Sequence, residues 1–270
     1  MTRRAPILVK LGGELLEGAA DRTRMARGLA ALARRAPVVV VHGGGRDIDA
    51  AMETAGIART QVDGIRVTDA ATLDVVVAVL AGTVNTRLVA ALRGAGAQPV
   101  GLTAADAGVA SVRKAAPMTA VSGRRVDLGL VGAPAGGTPR LLTDLLARKY
   151  LPVVACIGGT GGGQLLNVNA DTLAAHLAGT LGAARLAILG GTAGVLDAAG
   201  ASIRRLSARE AAGLIRAGTA NRGMVAKLQA CRAALRRGVG DVVIADGRTV
   251  PLAALAGRLP ASMTCTQVVQ

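Results

Sequence analysis

Residues 37–49 read PVVVVHGGGRDID, and this stretch restricts the possible folds more than any other part of the chain. Four consecutive valines predict a strand buried on both faces, because a half-covered strand would alternate apolar and polar residues. Three glycines follow His42, and residues 46–56 have the apolar spacing of a helix. Backbone amides at such a strand-to-helix junction favour an anion, although any tight turn of this kind also favours glycine. The stretch therefore predicts an α/β fold with a possible anion site at a strand end.

Composition narrows the classes of partner. The chain has 270 residues, enough for one large α/β unit or two joined lobes, and no Phe or Trp and a single Tyr. Stacking of bases on aromatic side chains is thereby excluded, which argues against recognition of single-stranded nucleic acid. The net charge of +15 comes from arginines scattered in ones and twos, and it suits small acidic partners such as nucleotides and carboxylates. No nucleic-acid partner is expected.

Cysteine usage and hydropathy predict a cytoplasmic location. Cys156, Cys231 and Cys265 are far apart and lack the spacing of a metal site, so they are interpreted as buried thiols in a reducing compartment. The apolar run near the N-terminus is short and contains Lys10, which is typical of neither a signal peptide nor an anchor. No apolar stretch of membrane-spanning length is free of charge and glycine. No metal-ligating residues and no membrane partner are expected.

Lysine is rare in this chain, which uses arginine at almost every basic position. The four lysines are Lys10, Lys114, Lys149 and Lys227. A compact ammonium has a geometry that the planar guanidinium fork cannot reproduce. A lysine beside a glycine-rich turn is therefore a functional candidate, and Lys10 is followed closely by Gly12 and Gly13.

The first part of the chain predicts parallel strands that share one crevice. Residues 7–11 are a predicted strand, residues 21–35 a predicted helix, and the valine strand follows. A strand–helix–strand order implies parallel neighbours, and ligands of parallel sheets bind at the carboxyl ends of the strands. Lys10, Gly12, Gly13 and the triglycine should therefore face the same crevice.

Residues 60–92 predict a hairpin followed by a long apolar helix. Asp63-Gly64 is typical of a tight hairpin turn, and it sets Arg66 on the returning strand. Asp69 is a candidate helix cap, and the helix is expected to be interrupted near Gly82 and to resume as far as residue 92. Its few charges fit a core helix, and they fit equally a helix that pairs across a dimer axis.

The rest of the chain predicts a small antiparallel cover over residues 111–131 and then a second run of strands and helices. A buried strand over residues 150–157 precedes LLNVNAD, residues 165–171, in which Asn167, Asn169 and Asp171 alternate along an extended chain. Ordinary helix capping by these side chains is the simpler interpretation of that segment. From residue 257 the tail is expected to add an edge strand. Two halves are predicted, residues 1–137 and residues 138–270.

Five motifs in order, KLGG, VHGGG, GIRVT, NVNAD and GMVAK, closely resemble the amino acid kinase family over residues 7–243. The resemblance implies a three-layer α/β/α sandwich around a mainly parallel eight-stranded sheet, with an N-terminal lobe for an acyl amino acid and a C-terminal lobe for ATP. Within the family, GIRVT and NVNAD are similar to members that phosphorylate the side-chain carboxylate of N-acetyl-L-glutamate in arginine biosynthesis. Mg²⁺ is expected to be held mainly by phosphate oxygens and water.

The resemblance also implies roles for individual residues. Lys10 and Lys227 would stabilise the transferring phosphoryl group from two sides, and Asp171 would hold both ammonium groups in place. A base is not needed, because the acceptor carboxylate is already ionised. The residues expected to bind substrate are Gly44, Gly45, Arg66, Asn167 and Asn169. Those expected to bind nucleotide or phosphate are Gly12, Gly13, Gly191, Thr192, Gly194, Gly223 and Met224.

One departure from the family pattern keeps alternatives open. A Ser/Thr-Asp-Val turn is usual in the ATP lobe, whereas this chain has Gly190-Gly191-Thr192, which puts contacts from that turn in doubt. A non-catalytic ligand-binding regulator on the same fold is therefore an alternative, as is a kinase of N-acetyl-aminoadipate or of a carrier-linked substrate, since one methylene discriminates only weakly. The short segment before the first strand suggests a homodimer without arginine feedback.

Overall fold

A computed structural model describes residues 4–120, 123–197, 199–218 and 222–270 of the chain. Its centre is an eight-stranded sheet in the order β14-β16-β15-β13-β1-β2-β10-β5. The strands are β1 Ile7–Leu11, β2 Val38–His42, β3 Gln61–Val62, β4 Ile65–Arg66, β5 Pro99–Thr103, β6 Ser111–Lys114, β7 Met118–Thr119, β8 Arg125–Val126, β9 Val131–Gly136, β10 Leu151–Ala155, β11 Ile157–Gly159, β12 Leu165–Val168, β13 Arg185–Gly190, β14 Arg205–Ser207, β15 Asp241–Asp246 and β16 Thr266–Val269.

Helices cover the sheet. The α-helices are α1 Ala19–Ala33, α2 Gly45–Thr54, α3 Ala70–Val77, α4 Asn85–Gly94, α5 Arg140–Ala147, α6 Ala170–Thr180, α7 Ala208–Arg216 and α8 Arg222–Arg236. Short 3-10 helices occupy Gly13–Leu15, Asp106–Gly108 and Leu252–Ala256. The α/β class predicted from the sequence is confirmed.

The two strands predicted first are adjacent and parallel, as expected. Every residue of β1 and β2 is buried, and Leu11 pairs with His42 at their carboxyl ends. On its other side β1 pairs in parallel with β13, which brings Leu11 opposite Leu189. The turns that follow these three strands therefore lie side by side at the carboxyl ends of the strands.

The tail does not form an edge strand, and that prediction is wrong. Strand β16 lies inside the sheet, antiparallel to β15 on one side and parallel to β14 on the other. Thr266 is fully buried, and its hydroxyl accepts a hydrogen bond from the amide of Val195 and donates one to the carbonyl of Ile203. The true edge is β14, whose three residues carry no strand pattern in the sequence.

The helix after the hairpin is continuous, contrary to the predicted interruption at Gly82. Asp69 caps α3 by accepting a hydrogen bond from the amide of Thr72, as predicted. Ala78–Val84 then form a π-helix that joins α3 directly to α4. A π-helix widens the turn without breaking the chain direction, and such segments are frequent at functional sites. Here Leu80 and Val84 of the π-helix pack against Gly44.

The helix from Ala70 to Gly94 is also long and apolar enough, by composition alone, to cross a membrane. An 18-residue window in it has a mean hydropathy of 1.9 and is 39% buried. A core helix of a soluble protein passes the same test. Leu73, Val76, Leu80 and Leu88 on its inner side are buried in the core of this fold.

Within the cover predicted for residues 111–131, β7 and β8 form a separate two-stranded antiparallel sheet, while β6 joins a small closed barrel with β9, β11 and β12. Strands β6 and β9 are antiparallel, as expected, but β11 and β12 come from the second half of the chain. Residues 121–122 of the predicted cover lie outside the described residues. Strand β10 of the second half also lies between β2 and β5 of the first. The division into two functional lobes at residue 137 stays a prediction.

Candidate active site

A lysine and an aspartate meet in the core at the carboxyl end of β1. The Nζ of Lys10 is 2.9 Å from Oδ1 of Asp171, and each side chain is only 8% exposed. Asp171 lies in the first turn of α6, which Asn169 caps by accepting a hydrogen bond from the amide of Thr172. The cap sets the direction in which the helix leaves the sheet. The pair is therefore fixed by a strand end and a helix start.

Lys10 keeps its positive charge although the pair is buried. Burial by itself lowers the pKa of Lys10, but the charge and hydrogen bond of Asp171, and then the charge of Glu14, outweigh it and raise the pKa. The stabilisation from this shift is present below the ordinary lysine pKa, and it is lost only as the pH rises through the raised value. Lys10 is consequently an ammonium group throughout the physiological range.

The turns after β1 and β2 touch backbone to backbone. A side chain on Gly13 would bring its Cβ to 2.9 Å from Cα of Gly44 and 3.1 Å from the amide nitrogen of Gly45. Within the described part of the chain, the amides of Gly13, Gly44 and Gly45 donate no hydrogen bond. The amide of Gly12, in contrast, donates to the carbonyl of Leu189 at 2.8 Å. The amide of Gly12 is therefore already engaged and cannot donate to a phosphate, whereas the amides of Gly13, Gly44 and Gly45 can.

The turn after β13 completes the crevice and brings in Glu14. The carboxylate of Glu14 accepts a hydrogen bond from the amide of Gly191 at 3.0 Å. A Cβ on Gly190 would lie 3.0 Å from Oε1 of Glu14 and 3.8 Å from Cε of Lys227. The carboxylate and the end of the lysine side chain therefore flank the same spot above the strand end.

Lys227 approaches this spot from helix α8. The neighbouring residue Leu228 is fully buried and fixes the helix against the core. One turn further on, the thiol of Cys231 has a raised pKa, chiefly through burial, and the charges of both Asp171 and Lys227 act on it. The two lysines singled out in the sequence thus flank a common region that also contains Asp171.

The other predicted nucleotide residues are spread around this turn. Met224 is 8% exposed and packs in the core, while Gly223 and Thr192 are exposed. Gly194 has a φ of 131°, and any side chain there would meet Thr266. Gly194 is therefore required by the packing of β16, whatever else it does. Residues 219–221, just before α8, lie outside the described residues, and nucleotide binding by this group stays a prediction.

Arg66 reaches the crevice from the predicted hairpin, whose strands β3 and β4 are antiparallel. Its guanidinium is 8% exposed and forms an ion pair with Asp49 of helix α2. Its Nη2 also donates to the carbonyl of Gly45 at 3.4 Å. Arg59 pairs with the second oxygen of Asp49 at 2.9 Å. Arg66 is thus beside the predicted substrate glycines and is held by an acidic residue that the sequence did not single out.

The two asparagines of NVNAD have different partners. Asn167, on β12, donates a hydrogen bond from Nδ2 to the hydroxyl of Thr68 at 3.1 Å, which links it to the segment that carries Arg66. Asn169 is the cap of α6. The expected alternation along extended chain therefore ends at Asn169, because the helix begins at Ala170 and Asp171 is already helical.

His42 and Cys156 have structural roles beside the site. Burial lowers the pKa of His42 to about 4, so its ring is neutral. Its Nε2 is 3.0 Å from the amide nitrogen of the Asn85 side chain, and its Nδ1 is 3.2 Å from the carbonyl of Gly43. Cys156 donates to the carbonyl of His42, and burial raises the pKa of that thiol to about 12. These groups join β2 to α4 and β10.

Sequence reasoning missed Glu14, Asp49 and Arg248. A Cβ on Gly191 would lie 3.3 Å from Nη1 of Arg248, which comes from the turn after β15. Glu14 directly follows KLGG, so its position beside a presumed phosphate turn was a usable signal. Asp49 and Arg248 lie far in sequence from the groups that they approach, and no spacing rule relates them.

The family follows from comparison with known proteins. The sequence matches the profile described as the amino acid kinase family over residues 5–246, and the chain belongs to this family. The predicted fold, with its mainly parallel eight-stranded sheet, is the fold of that family, and the resemblance read from the motifs is confirmed.

The most similar relatives define the subgroup. An acetylglutamate kinase from Nitrobacter hamburgensis is 41% identical over 249 residues, which are 90% of this chain and 83% of the relative. An acetylglutamate kinase from Solibacter usitatus is 43% identical over 243 residues, 89% of this chain and 91% of the relative. The sequence-based assignment to the acetylglutamate kinases is confirmed by these relatives.

A solved N-acetylglutamate synthase from Neisseria gonorrhoeae, complexed with coenzyme A and N-acetyl-glutamate, superposes with a TM-score of 0.83 at 25% identity. The match covers 99% of this chain, which spans only 60% of the length of that synthase.

Proposed function

We propose that this chain transfers the terminal phosphoryl group of ATP to the side-chain carboxylate of N-acetyl-L-glutamate, giving N-acetyl-L-glutamyl 5-phosphate and ADP. The reaction would serve arginine biosynthesis in the cytoplasm. The relatives named acetylglutamate kinase support the choice of substrate. The observation that carries the chemistry is the buried Lys10–Asp171 pair, which lies near the turns that contain Gly13, Gly44 and Gly45.

Phosphoryl transfer between two oxygens depends mainly on alignment and on neutralisation of charge. Lys10 from the strand side and Lys227 from the helix side would contact the transferring group as it becomes most negative. Asp171 would hold Lys10 at its position and keep it charged. Asp171 would not act as a base, since the acceptor carboxylate is ionised at neutral pH and has no proton to give up.

The acyl amino acid would bind on the side of Gly44, Gly45 and Arg66, with Asn167 and Asn169 near its polar groups. A guanidinium fork matches a carboxylate in a bidentate manner. Because Asp49 already pairs with Arg66, the substrate's α-carboxylate has to share or replace that partner.

The nucleotide would bind on the side of Gly191, with Arg248 as an additional cation near its phosphates. Among the described residues, no cluster of three or more His, Cys, Asp or Glu could hold a metal ion. A Mg²⁺ ion would arrive with ATP and keep phosphate oxygens and water as most of its ligands. When bound, Mg²⁺ would neutralise part of the charge on the phosphates.

The deciding experiment is an ADP-release assay with N-acetyl-L-glutamate and N-acetyl-aminoadipate side by side, with hydroxylamine to trap the acyl phosphate. We expect turnover with N-acetyl-L-glutamate to exceed that with the longer acid by about 10–200-fold, the range that one methylene allows. Preference for N-acetyl-aminoadipate would move the assignment to the homologous kinase. Tight ATP binding without turnover of either acid would favour a non-catalytic regulator, the alternative suggested by Gly191.

We further propose a homodimer that pairs through the helix Ala70–Gly94. Only 39% of the most apolar window of this helix is buried within the chain, and Ala78 is exposed on it. Its exposed positions include the small residues Ala71, Ala78 and Gly82, on which a second copy of the helix could pack closely.

A further inference from the structure

Glu14 covers the surface on which the nucleotide's phosphates are expected to bind. A Cβ on Gly12 would overlap its carboxylate, and the carboxylate accepts the hydrogen bond of the Gly191 amide. A Cβ on Gly190 would lie 3.0 Å from the same oxygen. A single carboxylate therefore occupies the space above the ends of β1 and β13.

The same carboxylate lies between cations. The charge of Glu14 contributes to the raised pKa of Lys10, and Cε of Lys227 flanks the same point above Gly190. No ion pair joins Lys227 to another side chain in the described part of the chain. The carboxylate thus accepts a hydrogen bond from one amide and lies in the field of two lysine side chains without forming an ion pair with either, an arrangement that would equally suit a phosphoryl oxygen.

The backbone of Glu14 is firmly held, whereas its side chain is not. Gly13–Leu15 form a 3-10 turn, and Leu15 and the following Leu16 are buried at 0% and 3% exposure. Glu14 itself is partly exposed. The carboxylate can therefore leave the crevice by side-chain rotation without any change in the fold.

We propose that the carboxylate of Glu14 occupies the place of the terminal phosphates of ATP in the empty enzyme and has to swing out when the nucleotide binds. This inference rests on the proposed function, because it takes the crevice to be the phosphate site. Two anionic acceptors cannot share one amide and the space between two lysines. ATP therefore binds only the fraction of molecules in which Glu14 is outside, and the apparent dissociation constant rises in proportion.

A different role for Glu14 would reverse the direction in which removal of its carboxylate changes the affinity for ATP. If the carboxylate held Lys10 and Lys227 in position during catalysis, or ligated Mg²⁺, its removal would weaken ATP binding and slow turnover. If it competes with the phosphates, its removal strengthens binding. The direction of the change in ATP affinity separates these cases.

The test is calorimetric titration of the full chain with Mg-ATP and with inorganic tripolyphosphate, in the absence of any acceptor acid. We expect Glu14→Gln, which loses the negative charge that attracts the side chain to the lysines, to bind both ligands about tenfold more tightly than the parent chain. This change is expected if the carboxylate is inside the crevice about nine tenths of the time and the neutral amide is mostly outside it. Glu17→Gln is the matched control, because Glu17 lies three residues further on and pairs with Arg46 at the surface. Its affinity for both ligands should be unchanged.

Unchanged or weaker ATP binding by Glu14→Gln would overturn the inference, as would failure of both proteins to bind either ligand. If Glu14→Gln does not fold, Glu14→Asp serves instead, because a side chain shorter by one methylene no longer reaches the amide of Gly191. It should also bind ATP more tightly. Failure of the kinase assay alongside tighter binding by the variant would reject the proposed function and leave the competition intact.

Discussion

Lysine is rare in this chain, and two of its four lysines lie at the crevice. Of the four lysines, Lys10 and Lys227 flank the crevice, while Lys114 pairs at the surface with Asp127. Lys149 is exposed between α5 and the amino end of β10, at the opposite end of the strands from the crevice. An ammonium group concentrates its charge at one atom, whereas a guanidinium spreads it over a plane. This difference should matter only where a transferring group has to be met at one point.

We expect Lys227→Arg to lower kcat by about 100-fold or more, because the loss of one aimed donor at a developing charge costs about that much. The variant should fold normally, since Lys227 is partly exposed and its helix is anchored by Leu228. The measurement is ADP release at saturating substrates.

Lys149→Arg is the control for this prediction, because it makes the same chemical change on an exposed lysine outside the crevice. Its kcat should equal that of the parent chain. A normal kcat in Lys227→Arg would remove this lysine from the mechanism.

His42 makes the stability of the fold depend on pH. Its pKa is about 4 in the folded chain against about 6.5 when unfolded, so the unfolded state binds the proton more readily in between. The stabilisation is therefore complete above pH 6.5 and is lost as the pH falls toward 4. Two and a half pH units correspond to about 3 kcal/mol.

The check is urea unfolding at pH 7 and at pH 4.5 for the parent chain and for His42→Gln, which does not titrate in this range. The parent should lose about 2–3 kcal/mol more than the variant between the two conditions. His176, whose pKa is also lowered by burial, is present in both proteins and does not affect the comparison. Equal losses would show that His42 is already protonated or solvated in the folded state.

At the scale of elements, the site depends on three glycine turns brought together by parallel pairing. Glycines follow the strands β1, β2 and β13 in the sequence, and parallel pairing brings the carboxyl ends of these strands together. The close approach of Gly13 to Gly44 is possible only because Gly13 has no side chain, whereas a Cβ on Gly44 would meet Leu80 and Val84. The π-helix then closes the wall behind Gly44 through Leu80 and Val84.

We expect Gly13→Ala to destabilise the fold by about 1–3 kcal/mol and to abolish most activity, because its Cβ would meet backbone atoms that no rotamer change can move. Gly45→Ala is the control for stability, since no atom lies within 4 Å of its added Cβ. Thermal unfolding compares the two variants. A Gly13→Ala protein as stable as Gly45→Ala would mean that the two turns can separate without cost.

At the scale of the whole molecule, the apolar helix Ala70–Gly94 is only partly covered by its own chain. We expect size-exclusion chromatography with light scattering to give a dimer for the parent chain. Ala78→Glu should shift it to a folded monomer, because a charge placed in an apolar interface is poorly compensated. Ala90→Glu, at another exposed position of the same helix, should remain dimeric. A monomeric parent chain, or a dimeric Ala78→Glu, would reject this interface.

Local sequence determined the elements and most of the candidate residues. The valine strand, the Asp63-Gly64 hairpin and the cap at Asp69 were all predictable, because each depends on neighbours within a few residues. The ordered motifs then identified the family. What the sequence did not indicate were pairings between distant segments, such as the insertion of β16 between β14 and β15.

Tertiary structure alone decided which groups share the crevice with Lys10. The contacts of Glu14 with Gly191, and of Asp49 with Arg66, join segments that no periodicity relates. It also decided that the Gly12 amide pairs with Leu189 rather than remaining free. The physical reason is that backbone propensity acts over one turn, whereas hydrogen bonds and charges in a folded chain act between whatever groups the packing of the sheet brings within reach.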